Sequence, residues 1–313
     1  MSDTDVLRES YSFGFIFAAK EENRHDSTAT QMGERSLPKQ RITHWGKGIT
    51  NFVLLQGKTK QRMIQKEDFF IEANRVEGIT EEDYLRAKPY IETAQAFAQT
   101  TYQSIYIIDY FKKNFLYVSD NPIFLCGRTA EEVKAMGYGF YMSNVPQAEL
   151  PMLTELNQAG FSAFNATPRE EKKHCLMSYD FHILSGGKKL LINHKITPLV
   201  LNDLGQVWLA LCTVSLSSRK EAGHIEFRHW GTSQYSVYTL TEHQWIDQDE
   251  IKLKPEEKEV LVLSAQGYTM KEIAEKVCKS IDTIKFYRKQ VFEKLEVENI
   301  TEALSFAINY GLL

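Results

Sequence analysis

The last sixty residues of the chain contain short helical patterns whose spacing restricts the fold more than any other feature of the sequence. Thr269 and Glu272 have the capping-box spacing, in which a hydroxyl and a carboxylate satisfy free amides at a helix start. Ser280 predicts the start of a second helix after a short break, and apolar residues repeat at helical spacing as far as Leu295. Two amphipathic helices joined by so short a break are typical of a helix-turn-helix unit.

Two further helical patterns flank this pair. The first has Pro255 in its first turn and Gly267 as its stop signal. The second begins with another capping box, Asn299 and Glu302, and ends at Gly311. The sequence therefore predicts an all-α domain of four helices over residues 252–313.

This domain resembles the LuxR/GerE-type helix-turn-helix family. The residues that carry the resemblance are in register along all four helices: Leu253, Pro255, Glu259, Val260, Leu261, Gly267, Lys271, Glu272, Ile273, Ala274, Ser280, Thr283, Ile284, Lys285, Leu295, Val297, Asn299, Thr301, Glu302 and Ala303. Glu296 departs from the family pattern, which often has glycine at this position, and Cys278 and Ile281 occupy variable positions. These departures concern the ends of helices.

The resemblance implies that the third helix enters the major groove of DNA. It places three residues toward base edges, which are Lys285, Phe286 and Lys289. It gives three candidates for phosphate contact, which are Thr283, Lys271 and Arg288. Lysine amines can donate to guanine acceptors, and a phenyl ring can meet the thymine methyl group. The alternative for the lysines is an ordinary solvated face, and the alternative for the phenylalanine is partial burial.

The distribution of charge agrees with this interpretation. The chain has a formal net charge of -4, yet the segment 279–294 gathers cations against only Asp282 and Glu293. The cations of this segment are Lys279, Lys285, Arg288, Lys289 and Lys294. A local basic patch attracts the phosphate backbone, while the acidic remainder limits non-specific binding to DNA.

The resemblance further implies that the last helix pairs two subunits. The candidate dimer face consists of Leu304, Ala307 and Ile308. The predicted partners are thus double-stranded DNA and a second copy of the chain, with RNA polymerase as a further candidate. We expect no membrane partner.

The middle of the chain, residues 104–216, changes to strand spacing. Two strands are followed by a string of turns and short helices and then by three longer strands, the first two of which are joined by "SGGK", a tight hairpin signal. This order resembles a PAS domain, and the alternative is an unrelated α+β domain. The matching segments are residues 107–109 and 115–120, "NPIFLCG" and "TAEEVKAMGY".

A PAS domain implies sensing of a small molecule or of a protein partner, and no cofactor can be assigned. The light-sensing subfamily carries N-C-R-F-L-Q around its reactive cysteine, whereas this chain has "FLCGRT", which argues against flavin photochemistry. Haem would need a histidine ligand in the pocket. His174, His182 and His194 lie on predicted strands, where surface or core-edge histidines are the commoner case. Cys126 is interpreted as a small buried hydrophobe rather than as a redox thiol.

The segments around these two domains are less informative. Residues 63–103 form a flanking helical region with a helix from about Thr80, in which Pro89 predicts a kink or a break. This helix either covers the sheet or makes a dimer contact. We interpret 217–251 as a β-ribbon linker with a turn at Gly231. We expect 1–62 to be an extension, either disordered or outside the native product, with a packed subdomain as the alternative.

Several classes of protein are argued against. The four cysteines are far apart and form no C-x-x-C pair, and no catalytic constellation is visible, so we predict that the chain is not an enzyme. The longest apolar run, 207–216, is too short to span a bilayer as a helix, and we predict a cytoplasmic protein. The predicted function is a one-component, sequence-specific transcriptional regulator with a PAS-like sensor. The alternatives are a PAS-based interaction module with weak or lost DNA binding, and an enzyme with an appended DNA-binding domain.

Overall fold

The structure of this protein is a computed structural model that describes residues 62–230, 235–249 and 251–313. The predictions for residues 1–61 and for a turn at Gly231 lie outside the described residues. Within the described part, an α+β region is followed by an all-α domain, so the predicted fold class is confirmed.

The α+β region is built on one antiparallel sheet of eight strands in the order β2-β1-β5-β4-β3-β6-β7-β8. The strands are β1 (Ser104–Asp109), β2 (Asn114–Val118), β3 (Cys175–Ser185), β4 (Lys188–Leu201), β5 (Val207–Leu216), β6 (Ile225–His229), β7 (Tyr235–Thr239) and β8 (Gln244–Gln248). The first five strands, in the order 2-1-5-4-3 with helices between β2 and β3, make the PAS-like domain that the sequence predicted.

The hairpin between β3 and β4 forms where the sequence signal lies. Ser185 pairs with Lys188, and both intervening residues, Gly186 and Gly187, have positive φ angles of 56° and 77°. A two-residue hairpin with positive φ at both central positions is the turn whose twist matches the flanking strands. The predicted tight hairpin is confirmed.

Five α-helices accompany the sheet in the described part of the chain. They are α1 (Glu81–Ala98), α2 (Pro122–Leu125), α3 (Ala130–Met136), α4 (Gly139–Asn144) and α5 (Leu150–Ala166). Helix α1 runs through Pro89, so the predicted kink or break does not end the helix. Pro89 is exposed, and water can satisfy the carbonyl that loses its amide partner.

The buried side of α1 faces the sheet. Ala87, Ala94 and Ala98 are buried, and these small residues allow a close approach to the strands. The hydroxyl of Tyr84 donates to the carboxylate of Asp109 on β1 at 2.6 Å. The helix therefore covers the sheet, as one of the two interpretations expected; the dimer contact stays a prediction.

The segment interpreted as a linker ribbon continues the same sheet. β6 pairs with β3, from Cys175 opposite His229 to Tyr179 opposite Ile225, and β7 and β8 follow outward. Ile225 is fully buried. An antiparallel ribbon and an added sheet edge have the same period of two in sequence, so the pattern could not separate them.

Four helices form the C-terminal domain: α6 (Pro255–Ala265), α7 (Met270–Lys276), α8 (Ile281–Leu295) and α9 (Ile300–Asn309). The predicted caps are present, because Thr269, Ser280 and Asn299 accept from the amides of Glu272, Thr283 and Glu302. Two small apolar clusters hold the helices together. One lies between α6, α7 and the start of α8, and the other joins α6, the end of α8 and α9.

Candidate DNA-binding surface and sensor cavity

Helix α8 presents one solvent-exposed stripe. Ile284, Val291 and Leu295 are buried and fix the rotation of the helix within the domain. Because an α-helix has 3.6 residues per turn, fixing this buried side turns Lys285 and Lys289 outward together. Their side chains are 59% and 74% exposed. The structure thus brings the two lysines onto one accessible face, as the sequence predicted.

Phe286 lies on the same stripe and is 55% exposed. The alternative of a partly buried packing residue does not fit this exposure. An apolar ring between two exposed lysines gains nothing from water, and such an arrangement is suited to contact with an apolar group of a partner. The thymine methyl group in the major groove is one such group.

Each of the two lysines has an acidic neighbour on the helix. Nζ of Lys285 lies 3.0 Å from Oδ1 of Asp282, and Nζ of Lys289 lies 3.6 Å from Oε1 of Glu293. Exposed pairs of this kind contribute about 0–1 kcal/mol. Incoming phosphates or base edges can therefore replace the carboxylates at small cost.

The three candidates for phosphate contact lie around this stripe. Lys271 is exposed on α7. The hydroxyl of Thr283 is half-buried and hydrogen-bonded to the hydroxyl of Ser280 at 2.8 Å, at the N-terminus of α8. The guanidinium of Arg288 lies 5.5 Å from the ring centre of Phe292, which draws it along the side of the helix. All three stay predictions as DNA contacts.

Lys294 belongs to the interior of the domain rather than to the basic patch. Its Nζ lies 2.6 Å from Oε2 of Glu257, a carboxylate that is 1% exposed, and it donates to the carbonyl of Lys252 at 3.1 Å. Glu257 also accepts from the amide of Lys254 at the start of α6. The sequence count of five cations in segment 279–294 therefore overstates the basic patch by one.

The candidate dimer face is only partly available on the surface. Ile308 is 66% exposed and Leu304 is half-buried, so this pair forms an accessible apolar edge of α9. Ala307 is fully buried inside the domain, against the cluster that includes Leu295. Ala307 is therefore corrected from a dimer residue to a core residue, because α6 and α8 cover it.

The PAS-like domain contains a partly open cavity of about 90 Å³ between the sheet and α5. The described residues that line it include no charged side chain. The lining residues are Phe69, Ile108, Tyr110, Tyr138, Tyr141, Leu153, Leu156, Asn157, Gly160, Phe161, Phe164, Cys175, Met177, Tyr179, Ile196, Pro198, Val207, Ala210 and Phe227.

Four tyrosines supply most of the polar groups of this wall. Burial raises the pKa of Tyr110, Tyr138, Tyr141 and Tyr179 well above the usual value. The hydroxyls therefore remain protonated and can both donate and accept. Burial also raises the pKa of the Cys175 thiol to about 11, so this group is uncharged at neutral pH. The cavity consequently favours an uncharged molecule with hydrogen-bonding groups.

Helix α5 supplies one wall of the cavity, and the sequence analysis did not identify it. The signal was present, because Leu150, Leu153, Leu156, Gly160 and Phe164 are buried at helical spacing. Gly160 interrupts the apolar stripe, and Pro151 near its start resembles a loop signal. The helix also contributes Asn157, whose side-chain amide donates to the carbonyl of Phe69 at 2.8 Å.

The histidines and cysteines form no metal centre in the described ranges. His194 is buried in the core, not at its edge, and burial lowers its pKa to about 3, so it is neutral. Its Nε2 is hydrogen-bonded to the hydroxyl of Tyr106. His182 pairs instead with Glu149 at 2.7 Å. The Cys126 thiol is buried and its pKa is raised to about 11, as expected for an inert thiol.

Comparison with known proteins identifies the C-terminal domain. The family model "Bacterial regulatory proteins, luxR family" matches residues 252–307. This range contains α6, α7, α8 and all but the last two residues of α9. The predicted LuxR-type DNA-binding domain is confirmed. No curated protein sequence matches the chain. Among the described residues, no helix combines the length and the apolar character needed to cross a membrane.

The solved structures that match this chain include VqmA proteins and PAS domains. The Vibrio cholerae VqmA dimer without target DNA is 17% identical to this chain. The match covers 75% of this chain and 89% of the VqmA chain, with a TM-score of 0.28. A phage VqmA–DPO complex is 16% identical, with coverages of 72% and 91% and a TM-score of 0.27. A PAS domain from Colwellia psychrerythraea is 15% identical, with coverages of 43% and 95% and a TM-score of 0.29.

Proposed function

We propose that this protein is a one-component transcriptional regulator that binds duplex DNA through α8 and senses a small molecule in its PAS-like domain. The observation that carries the proposal is the exposed stripe of Lys285, Phe286 and Lys289 within the luxR-family domain. Two donors beside an apolar ring match the acceptors of guanine and the methyl group of thymine.

The sensed molecule is proposed to be compact and uncharged. Among the described residues, the cavity wall has no carboxylate, amine or guanidinium, and its tyrosine hydroxyls keep their protons. A buried ion would lose its hydration there without gaining a counter-charge. An uncharged molecule with ring character can fill the apolar wall and pair with Asn157 or the hydroxyls.

DNA binding is proposed to use a dimer, with Leu304 and Ile308 at the contact between subunits. Two recognition helices would then read half-sites about one turn of DNA apart. RNA polymerase as a further partner and a cytoplasmic location belong to the same proposal.

The experiment that tests DNA binding selects duplexes from a random library with the full chain and then measures affinity by fluorescence anisotropy. We expect Lys285→Ala and Lys289→Ala each to cost about 1–3 kcal/mol on the selected sequence and to relax the preference at one base pair. Lys189→Ala, an exposed lysine of the β4 end, is the matched control and changes little.

Two outcomes contradict the proposal. If both recognition-helix variants keep the affinity and the base preference of the unchanged protein, α8 is not the reading helix. If no duplex is enriched and residual binding falls only with salt, the alternative of an interaction module with weak DNA binding is favoured. Native mass spectrometry of the freshly purified protein reports the molecule in the cavity and the number of subunits.

A further inference from the structure

Strand β3 separates two different surfaces. Residues of a strand alternate between the two faces of a sheet. Met177 and Tyr179 line the sensor cavity, whereas Ser178 and Asp180, the residues next to them, point to the opposite face. The side-chain amide of Asn193 on β4 donates to both of these polar groups, at 3.0 and 3.1 Å. One layer of backbone therefore lies between the cavity and a buried polar surface.

Strand β6 shows the same division. Phe227 lines the cavity, and its neighbours Glu226 and Arg228 face the other way. Glu226 is 2% exposed, and it accepts from Nε of Arg228 at 2.9 Å while Nε2 of His224 lies 2.7 Å from its other oxygen. The buried carboxylate fixes the guanidinium of Arg228, which also lies 4.2 Å from the ring centre of Tyr235.

The DNA-binding domain contacts this polar surface through α9. The guanidinium of Arg219 lies 4.5 Å from the ring centre of Phe306, and that of Arg228 lies 5.4 Å from the ring centre of Tyr310. The rings of Phe306 and Tyr310 stack on each other with centres 4.2 Å apart. Cations over aromatic faces attract, so the two arginines hold the two stacked rings against the sheet.

An ion pair closes the same contact at its edge. Nζ of Lys220 lies 2.7 Å from Oε2 of Glu298, in the turn before α9. Both side chains are exposed, at 61% and 78%, so the pair is weak and can open without unfolding either domain.

Helix α5 and strand β3 are in close contact in the cavity wall. A Cβ atom added at Gly160 of α5 would lie 2.5 Å from Sδ of Met177 on β3. The thioether of Met177 also lines the cavity, so an occupant packed against it can press on β3 through this side chain.

We propose that the contacts of Arg219, Arg228 and Lys220 with α9 form a clasp on the DNA-binding domain, and that filling the cavity loosens it through β3 and β6. The proposal rests on the proposed function, of which it gives the regulation. Arg228 lies next to Phe227 on β6, and the amide of Gly223, in the segment that carries Arg219 and Lys220, donates to the carbonyl of Asp180 on β3 at 2.8 Å. A small movement of these strands therefore shifts the balance between the clasped and the released domain.

The test needs neither the natural ligand nor DNA. A carbodiimide joins a carboxylate to an amine in contact with it, so peptide mapping of the full chain reports the Lys220–Glu298 pair directly. Gly160→Ala places a methyl group against Met177 in place of an occupant. Gly139→Ala, at a helical glycine with open space around it, is the matched control, and Lys220→Ala removes the product and verifies its assignment.

We expect Gly160→Ala to lower the yield of this cross-linked product by about threefold, a change of the size that the free energy of one exposed ion pair can produce. Gly139→Ala should leave the yield unchanged. Thermal melting of each variant shows that it is folded. If Gly160→Ala does not fold, Ala210→Val fills the cavity from β5 and has the same expected result. An unchanged or increased yield in the folded variant overturns the proposal. The yield of the cross-linked product is measured without DNA. It therefore tests the clasp even if the protein proves not to bind DNA.

Discussion

The pair of Lys294 and Glu257 leads to the most decisive prediction about the DNA-binding domain. Lys294→Met removes the cation while keeping the length of the side chain and nearly the same helix propensity. Of the donors within the described ranges, the carboxylate of Glu257, 1% exposed, then keeps the amide of Lys254. We therefore expect a loss of folding stability rather than a loss of DNA contact.

The size of the loss follows from the burial of the pair. Breaking a fully buried ion pair costs about 3–5 kcal/mol. The side chain of Lys294 is 30% exposed, so water can reach the amine position, and we expect about 2–3 kcal/mol. Lys289→Met on the same helix is the matched control, because its pair with Glu293 is exposed and should contribute less than about 0.5 kcal/mol.

The assay must report on the C-terminal domain alone. No tryptophan lies in residues 252–313, so tryptophan fluorescence does not report on the C-terminal domain directly. Hydrogen exchange of peptides from α6 to α9 in increasing urea gives the stability of the DNA-binding domain. Adding Glu257→Gln to Lys294→Met should recover most of the loss, because a neutral amide is cheaper to bury than an unpaired carboxylate. Equal, small effects of Lys294→Met and Lys289→Met would refute the reasoning.

Three further predictions concern single side chains. Asp282→Asn should raise DNA affinity by about two- to fivefold at low salt, because it frees Lys285 from its 3.0 Å pair; anisotropy titrations at two salt concentrations check this, and an unchanged affinity contradicts it. Glu296→Gly should stabilise the C-terminal domain by about 0.5–1 kcal/mol, because Glu296 has φ 53°, and urea unfolding measures it. His194 is neutral when folded, with a pKa lowered to about 3 by burial, so folding stability is full above pH 6.5 and is lost as the pH falls toward 3. His194→Phe should flatten this slope in urea titrations, and an equal slope in both proteins argues against it.

The C-terminal domain was the most predictable part of the protein. Its helix starts depend on local hydrogen bonds, such as those of Thr269 and Ser280, which sequence spacing alone specifies. The outward direction of Lys285 and Lys289 follows from helical geometry once the buried side is known. The positive φ of Glu296 was not predicted, although glycine is common at that position in the family.

The roles of Lys294 and Ala307 could not be predicted in the same way. Helical spacing gives the side of a helix on which a residue lies, but not the residue that another helix places opposite it. Glu257 lies 37 residues before Lys294 in the sequence, and only the crossing of α6 and α8 brings them together. Ala307 is likewise buried by α6 and α8 rather than by any neighbour in sequence.

The sheet shows where the same limit applies to function. Alternation along β3 and β6 assigns Met177 and Phe227 to one face and Asp180 and Arg228 to the other, and this much can be predicted from a period of two. What covers each face is decided by segments far away in sequence, α5 on one side and α9 on the other. A buried polar face on a sheet normally costs stability unless its groups are paired. Here Glu226 is paired with Arg228, and Arg228 in turn faces Tyr310 of the DNA-binding domain. The polar residues of the sheet therefore fix the position at which α9 docks more specifically than apolar residues could.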